Sequence, residues 1–141
     1  MILKLSKDQI NLLIKEAKRR YPIEICGAFF GIINKKKEVH VKKIILLKNL
    51  LNSKTKFQID PIEFLKFLLE AEKEGLQHVG FFHSHPIGTK PSTIDLKYMK
   101  LWPETIWLII SPLNCKISAY QIIDGFLSTI HIKIVKERRI H

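Results

Sequence analysis

Residues 80 to 95 read GFFHSHPIGTKPSTID, a strand that runs through a short loop into the start of a helix. In an extended strand, residues two apart project to the same face. His83 and His85 therefore present both imidazoles to one point if the strand persists through Ser84. The loop ends at Pro91, and Ser92, three residues before Asp95, forms a capping pattern for a helix running to about Lys100. A carboxylate in the first turn of that helix can return across the loop to the two histidines. Donors of type N, N and O leave the fourth position of a tetrahedral zinc open, as a hydrolytic site requires. Taken separately the parts are bland. Neighbouring histidines are often hydrogen-bonded core or surface groups, Asp95 favours the helix dipole whatever the function, and Ser92 has capping work of its own.

Upstream of this stretch, His78 to His83 reads as a buried strand. Asp60, Pro61 and Glu63 give a helix start: a capping side chain, proline at the first helical position and an acid in the first turn. Phe64, Leu65, Leu68 and Ala71 supply its apolar face, and Gly75 its C-cap. Phe57 to Ile59 reads as a short strand. Ile23 to Ile33 is apolar with Gly27 and Gly31 inside it, which suits a strand closely approached by a neighbour. Asn34 and Lys35 to Lys37 make a turn, and Val39 to Leu47 the partner strand of a hairpin. Met1 to Leu5 is a short strand. Ser6 and Gln9 then form a capping box for a helix carrying Ile10, Leu13, Ile14 and Ala17 to about Arg20, where Tyr21 and Pro22 end it. Downstream, Thr105 to Ser111, Lys116 to Ile123 and Phe126 to Val135 read as strands, the last two joined by a turn at Asp124 and Gly125. The mixed order makes the fold class α+β. It predicts a single domain over residues 1–135 and a basic tail over 136–141.

The chain has 141 residues, 46% of them hydrophobic and 26% charged, a size and balance suited to one domain around one core. No apolar run is long enough to span a bilayer and the N-terminus lacks a signal-peptide core, so the expected location is the cytoplasm, with no membrane partner. Cys26 and Cys115 are isolated, too few for a secreted disulfide framework and arranged against a zinc finger; the pattern predicts free buried thiols, with pairing left to the fold. The HxE and PCxxC pattern of the nucleobase deaminases is absent. The formal net charge is +11, yet the lysines are scattered except at Lys35 to Lys37 and Lys136 to Arg139. Arginines and aromatics do not cluster as base readout requires, so no specific nucleic-acid partner is expected. The charge reads first as a solvated surface and second as attraction to an acidic protein partner.

The combination of His83, Ser84, His85, Pro86, Pro91, Ser92 and Asp95 closely resembles the signature of the JAMM (MPN+) zinc metallopeptidases, in their minimal prokaryotic form. Further matches are residues 21–31, YPIEICGAFFG, with Glu24 at the place of the family's glutamate, and the asparagine-containing loop before residues 57–61, FQIDP. The Gly80 to His83 strand and the late strand around Ser111 also match, so the resemblance covers about residues 1–135. It implies a cytidine deaminase-like α+β fold, a mixed curved sheet flanked by helices. It also implies one zinc per chain held by His83, His85 and Asp95. Glu24 would take the proton of a zinc-activated water and pass it to the leaving amine, and Ser92 would stabilise the oxygen of the attacked carbonyl. Ser84 should point away from the metal, Pro86 should shape the loop, and His40, His78, His131 and His141 are read as ordinary residues.

The implied reaction is hydrolysis of a peptide or isopeptide bond after the C-terminal tail of a ubiquitin-like or sulfur-carrier protein. Only six residues separate His85 from Ser92, and no long insertion follows Asp95, which speaks against linkage-specific deubiquitination. A glycine-rich tail would lie as an added strand on an open sheet edge. A homodimer is left open. Two rivals share the resemblance. One is a non-catalytic MPN scaffold, though such relatives have usually lost ligands present here. The other is a RadC-like DNA-associated protein, whose ligand strand resembles His-Asn-His-Pro-Ser-Gly where this chain has His-Ser-His-Pro-Ile-Gly.

Overall fold

In the computed structural model, which describes residues 1–136, the elements run β1 (Ile2–Ser6), α1 (Lys7–Arg20), β2 (Cys26–Ile33), β3 (Glu38–Leu47) and α2 (Pro61–Lys73). They continue with β4 (Gln77–Ser84), α3 (Thr93–Leu101), β5 (Ile106–Ser111), β6 (Lys116–Ile123) and β7 (Phe126–Val135). Local chemistry accounts for the helix starts. The Ser6 hydroxyl accepts the Gln9 N–H at 3.1 Å while the Gln9 amide oxygen accepts the Ser6 N–H at 2.9 Å, a reciprocal capping box. Asp60 caps α2 through the Ile62 N–H at 2.9 Å. At the other end of α2 the Leu76 N–H reaches the Ala71 carbonyl and the Gly75 N–H the Glu72 carbonyl. This is a Schellman ending that needs the positive φ of Gly75, 78°. Gly75 thus stands one residue beyond the cap, Glu74, rather than at the cap itself.

The strands form one sheet of mixed direction in the order β1-β3-β2-β4-β5-β6-β7, and β1 pairs in parallel with both β3 and β7, which closes the sheet. Side chains alternate between two cores, as the period of two requires. Leu108 and Ile110 of β5 join Leu3, Phe29 and Phe82 on the side covered by Leu13 and Ala17 of α1. Trp107 and Ile109 join Phe30, Phe81, Ala71 of α2 and Met99 of α3 on the other. Strand β5, buried throughout, therefore reads as a continuous apolar run rather than an alternating one. A Cβ on Gly27 would run into the Ile45 carbonyl oxygen and the Phe82 ring, and one on Gly80 into the Ile106 carbonyl oxygen and the Phe29 ring. The backbones meet where glycine allows it.

Three expectations are corrected. Phe57 to Ile59 is not a strand, because its backbone is held by a turn: Gln58 bonds the Asn49 side chain through its N–H and the Leu50 N–H through its carbonyl. Strand β2 starts at Cys26 rather than Ile23, since the Glu24 N–H is taken by the Ser53 carbonyl instead of a strand neighbour. The open sheet edge expected for a substrate tail is not found among the described strands, because β1 joins β3 to β7 and closes the sheet. What remains open among the described strand pairs is the outer side of β3 beyond His40, because β1 pairs only with Glu38 to His40. Among the described residues no helix is long and apolar enough to cross a membrane. Most of the basic tail, with His141, lies outside the described residues.

Candidate metal centre

The site is assembled where β3, β2, β4 and β5 come into register: Cys26 faces Leu47 on one side and His83 on the other, and His83 faces Ile109. Extended geometry persists past β4, because the His85 N–H donates to the Ile110 carbonyl at 2.9 Å. His83 and His85 therefore project to one side. Their Nε2 atoms lie 3.1 Å apart. Asp95, in the first turn of α3, meets both: its Oδ2 lies 3.0 Å from His85 Nε2 and its Oδ1 3.2 Å from His83 Nε2. Capping orients the carboxylate. The Ser92 N–H donates to Asp95 Oδ2 at 2.8 Å, and the Asp95 N–H donates to Ser92 Oγ at 3.0 Å.

Glu24 reaches the same place from the segment between α1 and β2. Its carboxylate and a ring nitrogen of each histidine lie within 4.8 Å of one another. The Ile25 N–H donates to Ser84 Oγ at 2.8 Å, and the Ser84 N–H to the Ile25 carbonyl at 3.0 Å. Ser84 thus turns away from the histidines, as expected, and ties the end of β4 to the residue after Glu24. All five predicted site residues come together. Glu24, His83 and Asp95 are buried, whereas Ser92 stands at the exposed rim.

The electrostatics follow from burial and mutual contact. Burial lifts the Glu24 carboxyl to about 7, with His85 opposing and Asp95 reinforcing the rise. Burial would also raise Asp95, but hydrogen bonds from His83, His85 and the Ser92 backbone outweigh it and hold the carboxyl far below the usual range. Burial pushes the His83 imidazole down despite the Asp95 contact. Cys26 is driven up to about 12, first by burial and then by Glu24 and Glu63, so its thiol stays protonated beside the site. Both cysteines are free, but of the two expected buried thiols only Cys26 is buried; Cys115 is exposed in the turn after β5.

These donors suit a zinc ion. Tetrahedral bonds of about 2.0–2.1 Å set ligand atoms roughly 3.3 Å apart; the two Nε2 atoms lie 3.1 Å apart, with one Asp95 oxygen 3.0 Å from His85 and the other 3.2 Å from His83. In neutral imidazoles one of these nitrogens donates its proton to the other, and a cation would take the place of that proton. His83 Nδ1 is buried with no hydrogen-bond partner among the described residues.

Phe57, which the sequence marks as the start of a short strand and as part of a matching segment but not as a site residue, stacks on the His83 ring with centroids 4.5 Å apart and planes 24° apart. It also walls an apolar cavity of about 230 Å³ shared with Phe64, Phe81, Tyr98, Trp102 and Trp107. Asn49 is the other residue given no role by sequence. Its position in the asparagine-containing loop was the available signal.

Residues 6–122 match the protein family described as prokaryotic homologs of the JAB domain. The desampylase of Pyrococcus furiosus is 48% identical over 93 residues, 63% of this chain and 60% of that protein. The chain thus aligns with less than two thirds of that relative's length. The CysO-cysteine peptidase of Mycobacterium tuberculosis is 25% identical over 96% of this chain and 93% of its own. The solution structure of protein DSY2949 from Desulfitobacterium hafniense superposes with a TM-score of 0.84 at 28% identity, over 97% of this chain and 94% of that one. On the extent of the family match and the shared fold, the chain belongs to the prokaryotic branch of the JAB domain family, the JAMM/MPN+ group.

Proposed function

We propose that this chain is a zinc-dependent hydrolase that cleaves the peptide or isopeptide bond after the C-terminal tail of a ubiquitin-like or sulfur-carrier protein. The observation that carries the reading is the convergence of His83 Nε2, His85 Nε2 and the Asp95 carboxylate within 3.0–3.2 Å of one another. These three residues hold one zinc per chain. Zinc bound there supplies a Lewis acid that lowers the pKa of water towards neutrality. Glu24 is assigned as proton carrier rather than ligand, because Asp95 contacts both imidazoles directly at 3.0 and 3.2 Å, which leaves the Glu24 carboxylate, within 4.8 Å of a ring nitrogen of each, to face the water. A partly buried carboxylate within hydrogen-bond reach of that water can take its proton and hand it to a leaving amine. Ser92 Oγ accepts the Asp95 N–H, which leaves its own proton to donate to the oxygen of the attacked carbonyl.

The names of the relatives, desampylase and CysO-cysteine peptidase, support this class of substrate. An extended tail fits the outer side of β3 beyond His40, which leads to Leu47 beside Cys26 and so towards His83.

The test is zinc content per chain by plasma mass spectrometry for the wild type and for His83→Ala/His85→Ala. It is paired with cleavage of a ubiquitin-like fusion with and without chelator, and with Glu24→Gln. The expected result is near one zinc in the wild type, little in the double variant, chelator-sensitive cleavage, and a Glu24→Gln protein that keeps zinc but cleaves only at a small residual rate. Absence of zinc from the wild type would favour a non-catalytic scaffold. Tight DNA binding at physiological salt would favour the RadC-like reading.

A further inference from the structure

Asn49 is buried just beyond the end of β3 and uses its whole amide. Its Nδ2 donates to the Glu24 carbonyl at 3.1 Å and to the Lys56 carbonyl at 3.0 Å. Its Oδ1 accepts the Leu51 N–H at 3.1 Å and the Gln58 N–H at 3.2 Å. Two donors and two acceptor sites are thus filled, the full capacity of the side chain. The same segment also grips Glu24 from its other side, through the Ser53 carbonyl on the Glu24 N–H at 3.0 Å. The peptide groups of Glu24 are therefore fixed by residues 49–58 and not by a strand ladder. Phe57, next to Gln58, lies against the His83 ring.

We propose that Asn49 is a positioning residue for the reaction: it fixes the Glu24 carbonyl and the 49–58 segment together, and so aims the Glu24 carboxylate at the metal centre. This rests on Glu24 being the proton carrier. A backbone anchor of this kind leaves the ligands untouched. Losing it lets the carboxylate shift, and a displacement of about 1 Å in a catalytic group can lower the rate about a hundredfold. The effect falls on turnover rather than on binding of metal or substrate.

The experiment is a double-mutant cycle with Asn49→Ala, Glu24→Gln and the combination, using a fluorogenic amide of a peptide ending in Gly-Gly, with zinc content and Tm measured on each protein. Asn49→Ala should lower kcat by about tenfold to a hundredfold, leave KM within about twofold and keep zinc near the wild-type level. The double variant should be no slower than Glu24→Gln alone, because the two residues act through one group. Asn49→Asp keeps the acceptor for Leu51 and Gln58 but loses the donors to the Glu24 and Lys56 carbonyls and sets a carboxylate oxygen against them, so it should be as slow as Asn49→Ala with a lower Tm. Wild-type zinc content and KM in both variants, measured well below their Tm, separate the positioning effect from misfolding. Wild-type kcat in either Asn49 variant, or a loss that multiplies with that of Glu24→Gln, would overturn the inference. A Glu24→Gln protein that cleaves normally would instead overturn the assignment of the proton carrier.

Discussion

The Ser84 hydroxyl accepts the Ile25 N–H at 2.8 Å while the Ser84 N–H donates to the Ile25 carbonyl at 3.0 Å. The residue between the two histidines thereby fastens the strand that carries them to the segment that carries Glu24. Ser84→Ala keeps the backbone bond but strips the acceptor from a buried N–H. The expected loss is about 1–3 kcal/mol, seen as a lower urea midpoint with an unchanged slope. An unmoved midpoint would show that the Ile25 N–H finds another acceptor.

Ser92 caps α3 and is proposed to supply a hydroxyl to the reaction, and two substitutions separate the roles. Ser92→Ala should lose about 1 kcal/mol of stability, whereas Ser92→Gly, a tolerable cap, should lose only a few tenths. Both should lower kcat by about 10²–10³ if the hydroxyl stabilises the developing oxyanion. Steady-state kinetics beside thermal melts make the comparison. Equal kcat in Ser92→Gly and wild type would leave Ser92 with capping alone.

Metal binding should appear in stability as well as in catalysis. At free zinc about a hundred times its Kd, the folded wild type gains about 2.7 kcal/mol, and a chelator removes the gain. Asp95→Asn, which keeps the shape but not the charge, should show a much smaller zinc-dependent rise in Tm. An equal rise would remove Asp95 from the ligand set.

His78 lies among Phe30, Phe64, Phe81 and Trp102 with Nε2 3.0 Å from the Gly80 carbonyl, and burial pushes its pKa from 6.5 down to about 4. The unfolded chain takes up this proton near pH 6.5, but the folded chain refuses it until about pH 4. The contribution to stability is therefore full above pH 6.5 and is lost as pH falls towards 4, by at most about 3 kcal/mol. Melting His78→Phe across this range should give a flatter acid limb than the wild type. Equal slopes would assign the acid sensitivity to other groups.

Much of this architecture was legible in the sequence because its signals are local. Ser6 with Gln9, Asp60 before Pro61 and Ser92 with Asp95 start the helices they were read to start. The alternation through His83, Ser84 and His85 placed two imidazoles together and the serine apart, as the backbone does. Phe57 to Ile59 misled because its apolar pattern matches a strand, while the partner that decides the matter is the Asn49 side chain. Closure of the sheet was hidden for a similar reason: it depends on Ile2 meeting both Glu38 and His131, a pairing no window of sequence contains.

That pairing also orders events during synthesis. Strand β1 leaves the ribosome early, yet one of its two neighbours, β7, is made only after every residue proposed here for the metal centre. Until Phe126–Val135 emerges, one side of β1 and one side of β6 stand bare, and a nascent chain in that state can pair with the wrong strand or with another copy. Strand β7 is thus a latch for two distant parts of the chain at once, and removing it would expose both.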